Sequence, residues 1–148
     1  MIIITNYFKE DGVMRYSKQR EQILAILRST KCHPDAEWIY FKVKEIMPKI
    51  SLGTVYRNLK ELVDSGIIDS VETEQKVIRY DADTSPHAHF ICEKCGEVKD
   101  IFGDIKVNSA FLDGSKILRQ KVIFYGVCRD CIYNSNQKVQ NVSEFLRQ

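Results

Sequence analysis

Two C-x-x-C pairs, Cys92/Cys95 and Cys128/Cys131, constrain the fold of this chain more than any other feature. A C-x-x-C turn supplies two thiolates from one tight knuckle, and the glycine that follows in "CEKCG" relieves the backbone there. Structural zinc requires four ligands in a tetrahedron, commonly all of them thiolates. The two pairs therefore predict one structural Zn2+ site, which the fold must assemble across the 32 residues between them.

Two other interpretations of these cysteines are a redox-active dithiol and unpaired core thiols. A thioredoxin-type motif usually stands alone at the start of a helix, whereas this motif is doubled, so the metal site is favoured. The fifth cysteine, Cys32, is expected to be a small buried hydrophobic residue.

The composition is that of a globular protein, with 44% hydrophobic and 28% charged residues. No apolar run approaches the ~20 residues that a membrane span requires, and the opening "MIII" is followed at once by polar residues. We therefore expect a cytoplasmic protein with no membrane partner. Residues 1–66 contain 11 basic against 8 acidic residues, which favours an anionic partner for this half.

Three segments of the first half have apolar residues at helical spacing, and two segments that follow alternate like strands. Ser17 and Ser51 are plausible helix N-caps, and Gly66 is a plausible helix end. The turn of the hairpin is expected near Glu74–Gln75. Three helices followed by a hairpin are typical of a winged helix-turn-helix. The predicted helices cover 17–29, 34–48 and 51–65, and the predicted strands cover 67–74 and 76–81.

The second half begins after "ADTSP", residues 82–86, which has the composition of a short hinge. The segments "HFICEKC", "EVKDIFG" and "KILRQKVIFYGVC" predict strands, with a helix between residues 104 and 115. The predicted fold class is α+β. A winged-helix domain spans 1–81, the hinge 82–86, and a small metal-binding α/β domain 87–148.

Only three histidines occur in the chain, and two of them, His87 and His89, are two residues apart. In a strand these two side chains point to one face, while Cys92 points to the other. This geometry favours a second metal site, separate from the cysteines. Asp81, Asp100 and the distant His33 are candidates to complete it, although each could also be an ordinary surface or capping residue. A mixed nitrogen and oxygen set suits Fe2+, Mn2+ or Zn2+.

These motifs together resemble the ferric uptake regulator (Fur) family of metal-dependent repressors over nearly the full length. The matching stretches are "RYSKQREQIL", "HPDAEWIY", "SLGTVYRNLKELVDSGII", "IRYD", "HAHFICEKCGEV" and "GVCRDC". The resemblance implies a DNA-binding winged helix, and a dimerisation domain from residue 87 onward that is locked by the four-cysteine zinc. It also implies a regulatory Fe2+ or Mn2+ between the domains. The implied ligands are His33, Asp81, His87, His89 and Asp100.

The helix 51–65 is the expected recognition helix. Its apolar stripe is expected to face inward, which leaves Gly53, Thr54, Arg57 and Asn58 for the major groove, where Arg suits guanine and Asn suits adenine. The resemblance adds Tyr56 as a base contact, and Arg15 as a probe of the minor groove. The expected partners are therefore a double-stranded DNA operator and a second copy of the chain.

Two residues resemble the peroxide-sensing repressors of the family. Asp100 stands where iron and zinc regulators generally have Glu, and Pro86 stands where those regulators commonly have His. The resemblance then implies that His33 and His87 are oxidised by peroxide at the Fe2+ site, which releases DNA. The alternatives are an iron- or zinc-responsive repressor, a metallohydrolase and a zinc-ribbon interaction module. No general base or substrate loop accompanies the ligands, so the chain is not expected to be an enzyme.

Overall fold

The computed structural model describes residues 8–9, 12–13, 17–103, 106, 112–118 and 120–134. The chain divides into two compact units. The first comprises Met1–Glu72 and Lys76–Ser85, and the second comprises Thr73–Gln75 and Pro86–Gln148. The expected hinge at 82–86, with domain limits at 81 and 87, stays a prediction.

The first unit begins with a short antiparallel pair, β1 (Phe8–Lys9) and β2 (Gly12–Val13), and continues with three helices. The side-chain oxygen of the residue before each helix accepts a hydrogen bond from a backbone N–H three residues later. The predicted caps Ser17 and Ser51 are confirmed, whereas Asp35 caps the second helix without having been predicted. The helices are α1 (Lys18–Arg28), α2 (Ala36–Ile46) and α3 (Leu52–Asp64).

The core of the first unit is formed by the inward faces of these helices and by residues of the hairpin that follows. Fully burying one such aliphatic side chain stabilises the fold by about 1.5–3 kcal/mol, so the core fixes the position of α3. A side-chain hydrogen bond from Arg20 of α1 to Glu61 of α3 links the same two helices at the surface. The core residues are Ile23, Leu24, Leu27, Ala36, Ile39, Val43, Ile50, Val55, Leu59, Leu62, Ile68 and Tyr80.

Helix α3 ends at Asp64, just before the predicted glycine. Gly66 has a φ of +68°, a conformation that glycine adopts without strain, and the N–H of Ile67 donates to Leu62 O at 3.0 Å. The chain then forms the antiparallel strands β3 (Asp69–Glu72) and β4 (Ile78–Asp81). Three helices followed by this hairpin make the first unit a winged helix-turn-helix, as predicted.

The second unit contains a three-stranded sheet with β5 (Ala88–Cys92) at its centre. Strand β6 (Val98–Ile101) pairs with β5 in the antiparallel direction, and β7 (Val122–Gly126) pairs with it in the parallel direction. The strand expected from Lys116 begins later, at Val122. Val122 pairs with Ala88, the first residue of β5, so the two strands begin together. The helix expected between residues 104 and 115 lies largely outside the described residues.

The α+β class is therefore confirmed, with a winged helix followed by a small unit that contains the paired cysteines. Among the residues that the structure describes, no helix has both the length and the apolar character needed to cross a membrane.

Candidate functional site

The parallel pairing of β5 and β7 brings the two C-x-x-C pairs together. Cys92 is the last residue of β5 and lies opposite Gly126, the last residue of β7, so Cys128 emerges at the same end of the sheet. Gly96, with a φ of +72°, donates its N–H to Cys92 O at 2.8 Å and closes the first knuckle. The Sγ atoms of the four cysteines all lie within 4.8 Å of one another.

This spacing fits a zinc ion. A tetrahedral site with Zn–S bonds of about 2.3 Å has S···S edges of about 3.8 Å, and Cys95 Sγ lies 3.7 Å from Cys128 Sγ. The four cysteines are free thiols in this structure, and 3.7 Å is far longer than the ~2.05 Å of a disulfide bond. The residues therefore suit a four-thiolate ion site better than a dithiol redox centre.

The electrostatics of the cluster favour ionisation of one thiol first. Burial raises the pKa of Cys92, but backbone N–H donors from Cys128, Cys95 and Lys94 outweigh it and bring the pKa down to about 6. The Cys128 N–H lies 3.2 Å from Cys92 Sγ. A hydrogen bond with the Cys128 thiol, together with burial, raises the pKa of Cys131 to about 12. A divalent cation would supply the charge that lets all four thiols ionise.

On the second unit, the side chains of His87, His89 and Asp100 converge. His89 in β5 lies directly opposite Asp100 in β6, and His87 is on the same face as His89. The Nε2 atoms of the two histidines are 3.1 Å apart. Asp100 Oδ1 lies 3.3 Å from His87 Nε2 and 3.6 Å from His89 Nε2.

These three atoms stand where adjacent ligands of one metal ion would stand. For bonds of about 2.1 Å, neighbouring vertices of an octahedron are about 3.0 Å apart. Two histidines and one carboxylate on one face are the set found around non-haem iron. The ring of Phe102 lies 5.2 Å from the His87 ring, a neighbour that the sequence analysis missed.

On the first unit, His33 and Asp81 form a buried pair. His33 is 3% exposed, Asp81 is 7% exposed, and His33 Nε2 lies 3.5 Å from Asp81 Oδ2. His33 has a φ of +48°, a left-handed conformation that costs a non-glycine residue roughly 1–2 kcal/mol. Both side chains offer donors that a transition metal accepts.

The segment that contains His33 lies along the outer edge of β4. The N–H of Tyr80 donates to Pro34 O at 3.0 Å, and Arg79 Nη1 lies 3.8 Å from Asp35 Oδ2. Neither Asp35 nor Arg79 was predicted as a site residue from the sequence. An Asp directly before a segment with apolar residues at helical spacing is an N-cap signal, so Asp35 could have been identified. No signal in the neighbouring sequence identifies Arg79 as its partner.

The prediction for Cys32 was wrong. Cys32 is exposed, and its Sγ lies 3.0 Å from the Thr30 hydroxyl in the turn after α1. The exposed part of this turn is short, since Lys31 and Cys32 are exposed and the chain is buried again at His33.

Helix α3 presents a narrower polar surface than expected. Gly53 and Arg57 are exposed, Tyr56 is 47% exposed, and the hydroxyl of the half-buried Thr54 lies 2.9 Å from that of Ser51. The expectation that Asn58 is exposed was wrong, since it is 4% exposed. Its amide donates to Thr54 O at 2.8 Å, which satisfies the buried group within its own helix. Arg15 lies outside the described residues.

With this geometry established, comparison with known proteins decides the family. The sequence model of the ferric uptake regulator family matches residues 11–125. The chain belongs to the ferric uptake regulator family. Members of this family regulate transcription, and the chain is a regulator rather than an enzyme, as predicted.

Curated relatives within the ferric uptake regulator family include peroxide regulators. The peroxide operon regulator of Bacillus subtilis (strain 168) is 34% identical over 132 residues, which cover 86% of this chain and 90% of that protein. The peroxide-responsive repressor PerR of Staphylococcus aureus (strain USA300) is 32% identical over 127 residues, 83% of this chain and 85% of that protein.

Solved structures of the same family share the fold. The peroxide stress regulator of Campylobacter jejuni superposes with a TM-score of 0.66 at 31% identity, covering 76% of this chain and 88% of that one. The ferric uptake regulator Fur of Helicobacter pylori, described as having three functional metal binding sites, gives a TM-score of 0.68 at 26% identity. That match covers 80% of this chain and 82% of the other.

Proposed function

We propose that the chain is a homodimeric, metal-dependent DNA-binding repressor that senses hydrogen peroxide through oxidation of the metal-binding histidines His33 and His87. The observation that carries the proposal is the convergence of His87, His89 and Asp100 within 3.1–3.6 Å on one face of the sheet. The similarity to peroxide regulators of other bacteria supports the same conclusion.

The four cysteines are proposed to hold a structural Zn2+. Their S···S spacing and the low pKa of Cys92 support this role, because zinc binds thiolates rather than thiols. Four thiolates fill the coordination sphere and leave no position for a substrate. The proposed role is to lock the ends of β5 and β7 in the dimerisation domain.

The regulatory ion is proposed to take donors from both units. His33 and Asp81 offer two, which is too few for a stable site, and His87, His89 and Asp100 offer three. Together they would make a five-donor site on Fe2+ or Mn2+, with one octahedral position open to a small molecule. An ion bound by both sets would tie the DNA-binding domain to the domain from residue 87 onward, across the hinge at 82–86.

Bound Fe2+ would activate peroxide toward the imidazoles of His33 and His87, which are the proposed targets. Each imidazole oxidised would consume one peroxide: one peroxide oxygen adds to the ring, and the two electrons that the ring gives up reduce the other oxygen to water. An oxidised imidazole is a poorer donor, so the link between the domains is lost. In a dimer the link sets the distance between two recognition helices, and DNA half-sites must match that distance. Metal binding and DNA affinity are therefore coupled.

The DNA contacts are proposed to come from the exposed part of α3. Arg57 is suited to read guanine in the major groove, with Gly53, Thr54 and Tyr56 beside it. The proposed role of Arg15 is to enter the minor groove. Asn58 is left out, since its amide is buried. Because DNA is the proposed target, the proposed compartment is the cytoplasm.

The proposed dimer interface includes β7, an edge strand of the described sheet. Phe124 and Tyr125 on this strand are 46% and 49% exposed. Exposed aromatic side chains on a free strand edge are suited to contact a second copy of the chain.

The proposal is tested by gel shift with an operator fragment and protein loaded with Fe2+ or Mn2+, with and without low peroxide. We expect both forms to bind DNA and only the Fe2+ form to lose binding after peroxide. Peptides containing His33 or His87 should then gain the mass of one oxygen atom. Identical responses of the two forms would instead support a plain iron- or zinc-responsive repressor.

A further inference from the structure

The edge of β4 and the segment 33–35 are joined at three successive positions. His33 lies beside Asp81, Pro34 O accepts from the Tyr80 N–H, and Asp35 lies beside Arg79. The pairs run in antiparallel order, so each position supports the next. The metal-binding pair is at one end of this ladder and the Asp35–Arg79 ion pair is at the other.

From this arrangement we infer that Asp35 and Arg79 are positioning residues for the regulatory metal. They hold the edge of β4 against the segment that places His33. This inference rests on the proposed metal site and adds two residues that donate nothing to the ion.

The two carboxylate oxygens of Asp35 have separate tasks. Oδ1 accepts from the Trp38 N–H at 2.8 Å and caps α2, while Oδ2 faces Arg79 Nη1. The hydrogen bond from Trp38 thereby holds the Asp35 carboxylate at the helix end, in a fixed position beside Arg79. Arg79 is on the same face of β4 as Asp81, because residues two apart in a strand share a face.

His33 needs such support because of its backbone. Its left-handed φ of +48° persists only where the surroundings hold it. If the ladder loosened, His33 would relax toward an ordinary conformation and its imidazole would move away from Asp81. Metal affinity should then fall even though every donor is still present.

The experiment measures the affinity of Mn2+ for the full-length, zinc-loaded protein by calorimetric titration. The variants are Arg79→Met, Asp35→Asn and the double variant. Asn keeps an oxygen for the Trp38 N–H, so Asp35→Asn removes the ion pair while sparing the cap. We expect each single variant to weaken Mn2+ binding about tenfold, as is usual for residues that orient ligands. The double variant should bind Mn2+ no more weakly than either single variant, because both substitutions remove the same interaction.

The direction in which Arg79→Met changes the Mn2+ affinity distinguishes a positioning role from the mere presence of a positive charge near the site. Removing a cation near the site would tighten Mn2+ binding if charge alone mattered, whereas positioning requires weaker binding. Lys76→Met is the matched control: it removes a cation of the same hairpin whose partner, Glu72, lies 3.6 Å away, and binding should not weaken.

A second measurement does not depend on metal. Hydrogen exchange at the Tyr80 amide should be faster in both single variants, while the amides of core residues Leu59 and Leu62 keep their protection. Unchanged or tighter Mn2+ binding by Arg79→Met would overturn the inference alone. If His33→Ala bound Mn2+ as tightly as the wild type, the proposed metal site itself would be wrong, and the inference with it.

Discussion

Asp100 of β6 stands directly across the sheet from His89 of β5, with Asp100 Oδ1 3.6 Å from His89 Nε2. The pairing register therefore assembles this part of the proposed metal site. A slip by one residue would turn the Asp100 side chain to the opposite face of the sheet. Neither residue needs a flexible loop to reach the other, so the donors are held ready before any ion binds.

Replacing Asp100 with Glu should separate metal binding from peroxide sensing. The donor type is kept, but the carboxylate moves one methylene further from β6 and alters the space around the ion. We expect Mn2+-dependent DNA binding to persist and Fe2+-dependent inactivation by peroxide to slow at least several-fold, as followed by gel shift. Unchanged peroxide sensitivity would remove Asp100 as a determinant of sensing.

The zinc-free protein should have a stability that varies with pH through its thiols. The pKa of Cys92 falls to about 6 on folding from an ordinary value of 9.0, so the unfolded chain binds more protons between those values. Stability from Cys92 is complete above pH 9 and is lost as the pH falls through about 6. The raised pKa of Cys131, about 12, has the opposite effect on stability. The stability that it contributes is complete below pH 9 and is lost as the pH rises from 9 toward 12.

Thermal unfolding of the zinc-free protein should therefore give a Tm that rises from pH 6 toward pH 9 and falls beyond it. In Cys92→Ser the rise below pH 9 should be largely lost. Zinc-loaded protein should depend less on pH above 6, because the metal already holds the thiolates. An equal rise in Cys92→Ser would contradict the assignment to this thiol.

Asn58 and Arg57 should affect different properties despite being neighbours on α3. Asn58→Ala removes a buried hydrogen bond and should lower the free energy of unfolding by about 1–2 kcal/mol, with little change in base preference. Arg57→Ala should leave the Tm nearly unchanged and cost about 1–3 kcal/mol of discrimination between operator and mismatched DNA. Chemical denaturation and competition gel shifts measure the two effects. If Asn58→Ala lost base preference without losing stability, the original prediction that Asn58 contacts a base would be supported.

Tyr125→Lys should weaken the proposed dimer. A charge on an exposed edge strand opposes strand addition and burial of the neighbouring Phe124. Sedimentation should reveal more monomer at a given protein concentration, and DNA affinity should fall with it. Lys121→Ala, just before β7, is the control and should sediment as the wild type does. A dimer of unchanged strength in Tyr125→Lys would place the interface elsewhere.

The parts of the fold that depend on neighbours in sequence could be predicted. Ser17 and Ser51 cap helices, and Gly66 ends α3, because these residues act on the backbone within one turn. The separation of His89 from Cys92 follows from strand alternation alone. The C-x-x-C spacing likewise contains most of the geometry of its knuckle.

Other features depend on distant parts of the chain, or on side-chain hydrogen bonds that the sequence pattern does not specify. Asn58 could have faced solvent, but its amide finds the carbonyl of Thr54 and tolerates burial. The Asp35–Arg79 contact joins residues far apart in sequence, and no periodicity specifies it. The start of β7 at Val122 coincides with the start of β5, since Val122 pairs with Ala88, and the residues before Val122 do not mark it.

Strand β5 has donors of opposite softness on its two faces. His89 offers nitrogen on one face and Cys92 offers sulfur on the other, only three residues away. Soft thiolates retain zinc, while harder nitrogen and oxygen donors accept iron or manganese. The two proposed sites would thus differ in ligand type and geometry, and an exchange of the proposed regulatory ion would leave the thiolate site on the other face unchanged.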